Sequence, residues 1–187
     1  PRSRIIGYNY SWRLSATGQN ERALEVIRDV LDYAPEFPDG LTQLLMLSMM
    51  VGDCDTVDRS ARDLIRILDK TGDVAPIYRD YCLGEPAEAF GAARQTLLSW
   101  APYSGFAEPD SPELLYGADH FVIFIEKGDH DAAYVVLQEL PRRGAWLGYW
   151  LAGRTTREFG IFACRKDVRE WMTSQNLSFA TEPASCP

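Results

Sequence analysis

Residues 18–35, GQNERALEVIRDVLDYAP, decide the fold because their apolar side chains recur at the spacing of one helix face. The same pattern returns 34 residues later. Residues 52–69, GDCDTVDRSARDLIRILD, align with the first stretch without a gap, and Arg-Asp stands at the same place in both. A fixed period of this length indicates a repeated structural unit rather than a single amphipathic helix.

A glycine opens each copy and marks a turn between two helices. Gly18 and Gly52 each follow an apolar stretch, residues 8–16 and 41–51, and each precedes polar residues. A glycine in the left-handed conformation commonly ends a helix. Two helices in every 34 residues predict a helical hairpin, and successive hairpins predict an all-α solenoid.

These residues resemble the tetratricopeptide repeat (TPR) family. The period, the glycine before the turn, the small Ala23 and the closing Pro35 carry the resemblance. The second copy keeps its glycine but has Val57 and Asp69 at the other two positions, so it is degenerate. The resemblance implies an α-solenoid of TPR-like hairpins at about 4–37, 38–71, 72–101 and 112–141, with a cap over 146–179.

The later copies depart further from the pattern. Gly84 and Gly128 begin the third and fourth copies, and Pro76 predicts a shortened helix before the third. Residues 101–112 are too irregular for a helix, and Ser111 and Pro112 predict a helix start that continues through Leu115. In the cap, a helix face combines Val168, Trp171 and Met172. We expect the tail, 180–187, to be disordered.

The cap sequence is also loosely similar to the end of TPR domains in bacterial transcriptional regulators of the CadC and winged-helix type, and in some adenylate cyclases. This similarity covers about thirty residues. It implies a sensor or effector domain of a bacterial regulatory protein. The chain begins at Pro1 rather than at methionine, so we expect it to belong to a larger polypeptide.

Composition limits the possible partners. The formal charge of −8 disfavours direct contact with nucleic acid, whose affinity depends on Lys and Arg. No apolar run approaches the roughly 18 residues of a membrane span, and no secretory signal precedes the first repeat. We therefore expect a cytoplasmic protein without membrane contact.

The residues that could bind metals or react are scattered. Cys54, Cys82, Cys164 and Cys186 form no CxxC pair, and the two histidines lack zinc-ligand spacing. We expect no metal or cofactor and reduced cysteines, with Cys186 as the exposed thiol, while a disulfide remains the alternative. No phosphate-binding loop or serine-hydrolase elbow occurs, so catalysis is not predicted.

The TPR resemblance implies a binding surface on the first helix of each hairpin, which lines the concave side. The matching positions give an apolar groove suited to a protein or peptide partner, to another domain of the same polypeptide, or to a small apolar ligand. These candidate residues are Tyr8, Trp12, Asp39, Thr42, Met46, Met49 and Met50. The alternative for the methionines is burial against neighbouring helices.

Two further possibilities depend on the C-terminal half. Residues 141–170 carry seven basic residues against three acidic ones, and the basic and aromatic side chains there predict a secondary interface or a core layer. Its candidate residues are Arg142, Arg143, Trp146 and Trp150. The alternative function is an enzyme or a closed ligand receptor, in which the 101–112 loop covers a pocket containing His120 or Tyr103.

Overall fold

The computed structural model describes residues 3–100, 114–115, 117–139, 154–177 and 186. Within these ranges the chain forms ten α-helices and no strand. The helices are α1 (Arg4–Ala16), α2 (Asn20–Tyr33), α3 (Pro38–Val51), α4 (Cys54–Ile67), α5 (Ala75–Leu83), α6 (Ala87–Trp100), α7 (Gly117–Glu126), α8 (His130–Glu139), α9 (Arg157–Ala163) and α10 (Lys166–Ser174). Neighbouring helices pack consecutively, as the predicted all-α solenoid requires.

The helices pair into hairpins, and a left-handed glycine lies in the turn of each of the first four. Gly18 and Gly52, the two glycines that define the period, have φ values of 78° and 82°. Gly84 and Gly128 take the same conformation in the third and fourth hairpins, with φ of 74° and 75°. A side chain at these positions would be strained, so the sequence marks each turn with glycine.

The third hairpin is shortened where the sequence predicts it. Pro76 lies at the start of α5, which has nine residues against the 14 of α3. Its ring is tolerated there because the first turn of a helix has no internal acceptor for its missing N–H. The expectation of helix through Leu115 is wrong: Leu114 and Leu115 are buried outside any helix, and the next helix begins at Gly117.

The core lies around α7. One apolar cluster extends from α3 to α10, and a smaller one joins α1, α2 and part of α3. Five consecutive residues of α7, from Phe121 to Ile125, each expose at most 1% of their surface. A helix that is apolar on all sides is buried on all sides, and α7 contacts α3, α6, α8 and α9.

The cap helix forms as predicted. On α10, Val168 and Met172 are buried and Trp171 packs partly buried against the main cluster. Except for Cys186, the tail 180–187 lies outside the described residues, as does the predicted loop 101–112. None of the described helices combines the length and apolarity needed to cross a bilayer.

The prediction of reduced cysteines is wrong. Cys54, at the start of α4, is bonded to Cys82, near the end of α5, and their Cα atoms are 5.6 Å apart. Cys164, at the end of α9, is bonded to Cys186. The Cys54–Cys82 pair was not visible in the sequence because the packing of α4 against α5, not local spacing, brings residues 28 positions apart together.

Candidate binding surface

The central candidates of the predicted groove lie in the core. Met46 and Met49 of α3 expose 1% and 0% of their surface and belong to the same apolar cluster as Phe121 and Phe124 of α7. Thr42, on the same side of α3, exposes 8%. A ligand cannot reach these three side chains in this conformation, so we assign them to the core rather than to a groove floor.

The remaining groove candidates are half-buried. Tyr8 meets Phe37 edge to face, with ring centroids 6.0 Å apart. Met50 lies within 3.9 Å of the hydroxyl of Ser15. Trp12 and Asp39 are also half-buried, so the structure separates the predicted set into core residues and partly accessible ones.

Of the other predicted site residues, five lie outside the described residues and one lies in the core. Arg142, Arg143, Trp146, Trp150 and Tyr103 lie outside the described residues. His120 is described and exposes 1% of its surface, with its ring stacked against Tyr78 at a centroid distance of 6.2 Å. In this conformation His120 is a core residue.

A buried ion pair that the sequence did not predict joins three distant parts of the chain. The Arg154 guanidinium donates from Nη1 to Oε1 of Glu126 on α7 at 3.2 Å, and Thr156 Oγ1 donates to the same oxygen at 2.7 Å. The Arg154 guanidinium also lies over the ring of Trp12 on α1, 5.7 Å from its centroid. Next to it, the Thr155 backbone N–H donates to the carbonyl of Ala16 at 2.9 Å. We call residues 154–156 the clasp.

Burial decides the electrostatics of the clasp. The side chains of Arg154 and Glu126 expose 2% and 8% of their surface. Burial raises the pKa of Glu126, although hydrogen bonds from Thr156 and Arg154 act against that shift. Burial likewise lowers the pKa of Arg154, and Glu126 opposes it. Arg154 and Thr156 both donate hydrogen bonds to the buried Glu126 carboxylate, so we assign the clasp a structural role.

The acidic and histidine side chains beside the clasp offer no metal site. Glu158 of α9 lies 3.5 Å from His130 Nε2 and interacts electrostatically with Glu126. Among the described residues, no group of three or more His, Cys, Asp or Glu side chains is arranged to hold a metal ion.

A charged cleft of about 370 Å³ lies between α4 and α5. Asp55, Asp58, Arg59, Arg62 and Arg79 line it. Arg62 is already paired with Asp58 at 2.9 Å and with Asp73 at 2.7 Å. An anionic ligand would have to compete with these carboxylates, so the cleft is a weak candidate.

Among the described residues, the large apolar side chain with the greatest exposure, Ile6, lies on α1. Ile5, Ile6 and Tyr10 expose 49%, 71% and 49% of their surface. At about 100° per residue Ile6 and Tyr10 lie about 40° apart around α1, and Ile5 lies about 100° from Ile6. The buried Leu14 is one turn after Tyr10, so Tyr10 borders the buried side of the helix. We call this surface, formed by residues 5, 6, 9, 10 and 13, the α1 face. The sequence of α1, RIIGYNYSWRLSA, indicates that some apolar side chains are exposed, because they surround the helix instead of forming one stripe.

One buried polar group gives a prediction about stability. Gln43 on α3 exposes 1% of its surface, and neither amide atom has a hydrogen-bond partner within the described ranges. Replacing it by an apolar group of similar shape removes a desolvated amide. We expect Gln43→Met to raise the free energy of unfolding by about 1 kcal/mol in urea denaturation. A loss of that size would instead mean that the amide is hydrogen-bonded in solution.

Comparisons with known proteins give no match: no protein-family model, no curated protein and no solved structure matches the chain. The TPR resemblance stays a prediction.

Proposed function

We propose that this domain is a non-catalytic binding module whose α1 face contacts a protein partner or another domain of the same polypeptide. The exposure of Ile6 and Tyr10, which are neighbours one turn apart on α1, together with that of Ile5 in the first turn, carries the proposal. Scattered apolar residues are normal on a protein surface, but a contiguous group of large ones marks an interaction site.

The energetics support this use of the surface. Burying apolar surface contributes roughly 25 cal/mol for each Å² removed from water. Aromatic residues such as Tyr10 are enriched at the centres of interfaces. The α1 face is therefore a surface whose burial by a partner would be favourable.

Two residues of the predicted groove, Tyr8 and Trp12, lie close to the α1 face. Trp12 lies about 20° from Ile5 around the helix axis, so the half-buried Trp12 adjoins the α1 face. Tyr8 lies one step further toward the interior. The proposed surface thus adjoins the first-hairpin residues of the predicted groove without including them, and it leaves out the methionines of α3.

The other proposed roles have less support. An enzyme using His120 would need that side chain to become accessible, and it is buried. A sensor or effector role in a larger bacterial regulatory protein is implied by the resemblance of the cap alone, and we keep it as a proposal. No observation on the described residues favours catalysis over binding.

The disulfides bear on location. Each of the four cysteines of the chain is paired. Stable disulfides form in oxidising compartments and are rare in the cytosol. We therefore propose that the domain acts in an oxidising compartment, in place of the cytoplasmic location predicted from the sequence.

Affinity capture with matched variants tests the binding proposal. The double variant Ile6→Ser/Tyr10→Ser removes apolar surface without touching the core, and Val135→Ser changes a side chain of α8 with the same 49% exposure as Tyr10. We expect the double variant to lose about tenfold or more of the captured partner, and the control to lose none. Circular dichroism checks that both variants remain folded. Equal capture by the double variant and the unmodified protein would rule out the α1 face.

A further inference from the structure

We propose that the disulfide between Cys164 and Cys186 is a redox-responsive tether of the chain end. An external dithiol opens this bond before it opens the one between Cys54 and Cys82. The opening releases residue 186 from the cap, while the cap helices stay packed. The tether uses none of the residues of the α1 face. The accessibility of the sulfur atoms, the charge beside them and the contacts that hold the cap all support it.

The two disulfides differ in exposure. Cys186 is exposed and Cys164 is half-buried. Cys54 is also half-buried, but Cys82 exposes only 4% of its surface and belongs to the main apolar cluster. A thiolate that attacks Cys54 would expel the Cys82 sulfur as an anion into apolar surroundings, which disfavour a thiolate. The Cys164–Cys186 bond lacks this obstacle, and exposed disulfides are the more labile ones.

A cation lies beside the exposed bond. Nη1 of Arg169, on α10, is 3.5 Å from Sγ of Cys186. Because the sulfurs of Cys186 and Cys164 are bonded to each other, the guanidinium lies close to both. A positive charge attracts the incoming thiolate and stabilises the one that leaves. Near the buried bond, the Lys127 ammonium instead donates to the backbone carbonyl oxygen of Cys82, at 3.3 Å.

The exchange is a two-electron reduction. A thiolate of the dithiol attacks one of the two sulfurs, so a mixed disulfide forms, the Cys164–Cys186 bond breaks and the other cysteine leaves as a thiolate. The second thiolate of the dithiol attacks its own partner sulfur in the mixed disulfide and expels the remaining cysteine. The dithiol ends as a disulfide, and the two protons that it lost end on the cysteines. Disulfide isomerases carry such dithiols in oxidising compartments, so the step is compatible with the proposed location.

The cap stays attached without the bond. Phe162 of α9 and Val168 and Met172 of α10 are buried in the main apolar cluster. Arg165 Nη1 also donates to Oδ1 of Asp131 on α8, at 2.7 Å. Opening of the Cys164–Cys186 bond removes none of these contacts, so we expect the change to be confined to the end of the chain.

Partial reduction of the full chain tests the order of opening. The oxidised protein is treated with dithiothreitol for increasing times, N-ethylmaleimide traps the thiols, and peptide mass spectrometry identifies the labelled cysteines. We expect Cys164 and Cys186 to be labelled at least about tenfold faster than Cys54 and Cys82. Circular dichroism at that stage should show unchanged helix content. Labelling of all four at one rate, earlier labelling of Cys54 and Cys82, or loss of helix with the first bond would overturn the proposal.

Matched variants test the cation. Arg169→Gln should slow the opening of the Cys164–Cys186 bond about threefold or more and leave the rate at Cys54–Cys82 unchanged. Arg157→Gln, which removes another exposed arginine from the cap, should change neither rate. An Arg169→Gln protein that opens as fast as the unmodified one would overturn the role of the guanidinium.

Limited proteolysis measures the release of the chain end. Phe179 lies inside the ring that the Cys164–Cys186 bond closes. We expect chymotrypsin to cut after Phe179 about tenfold faster once this bond is open and alkylated, because restrained segments open less often to a protease. The Cys164→Ala/Cys186→Ala variant should behave like the alkylated protein, and cutting after Tyr33, at the end of α2, should not change. Equal cutting after Phe179 in the oxidised and alkylated proteins would show that the bond is no tether.

Discussion

Replacing Arg154 with Met should lower the free energy of unfolding by about 3 to 5 kcal/mol at neutral pH. The substitution removes the cation and leaves Glu126 charged and buried, with Thr156 as its remaining hydrogen-bond partner among the described residues. An uncompensated buried charge costs much more than the pair itself contributes. Urea denaturation of the variant and the unmodified protein at about pH 8 measures the difference.

The loss should shrink in acid. Burial already raises the pKa of Glu126 above its ordinary value of 4.5, and removal of Arg154 raises it further. A carboxyl group whose pKa is raised by folding binds its proton more tightly in the folded state. Its contribution to stability is therefore greatest below pH 4.5 and falls as the pH rises through the folded pKa. We expect Arg154→Met to recover much of its stability when the pH is lowered from about 8 to about 5.

The double variant Arg154→Met/Glu126→Leu is the control for this prediction. It removes both charges, so it should be within about 1 to 2 kcal/mol of the unmodified protein and lack the acid-dependent recovery. If the single variant were as stable as the double one at every pH, the two side chains would not form a buried pair in solution.

Removing the disulfide between Cys54 and Cys82 should have the second largest effect. The bond closes a loop between residues 28 apart in sequence and limits the freedom of the unfolded chain. We expect Cys54→Ala/Cys82→Ala to lower the free energy of unfolding by about 3 kcal/mol, measured by thermal and urea denaturation.

The matched variant Cys164→Ala/Cys186→Ala removes the other disulfide and reports the cost of losing the second bond. A reductant should destabilise the unmodified protein by at least as much as the first double variant. Thiol titration of the untreated, unfolded protein should find no free cysteine. Four titratable thiols would show that the chain does not form these bonds.

The local features of the fold were predictable. Gly18 and Gly52 identify the turns because only a residue without Cβ adopts a positive φ at little cost, and that restriction is visible in the sequence. Pro76 identifies the shortened helix for a similar reason. Each of these predictions depends on a residue and its immediate neighbours.

The distant contacts were not predictable from spacing. Met46 and Met49 match positions that face the inside of a repeat array, but that side of α3 is buried in a core that includes α7. The apolar composition of residues 121–125 is typical of a buried helix, but it does not indicate which other helices pack against it. Arg154 stood among other basic residues, and nothing in its sequence neighbourhood distinguished it from a solvated charge.

The clasp changes how the array should unfold. In an open repeat array each unit contacts only its neighbours, so the ends can unravel separately. The hydrogen bond from Thr155 to Ala16 instead connects the segment just before the cap helices to the end of α1. Opening either end breaks contacts made by the other, which couples the first hairpin to the cap and favours unfolding as one cooperative unit.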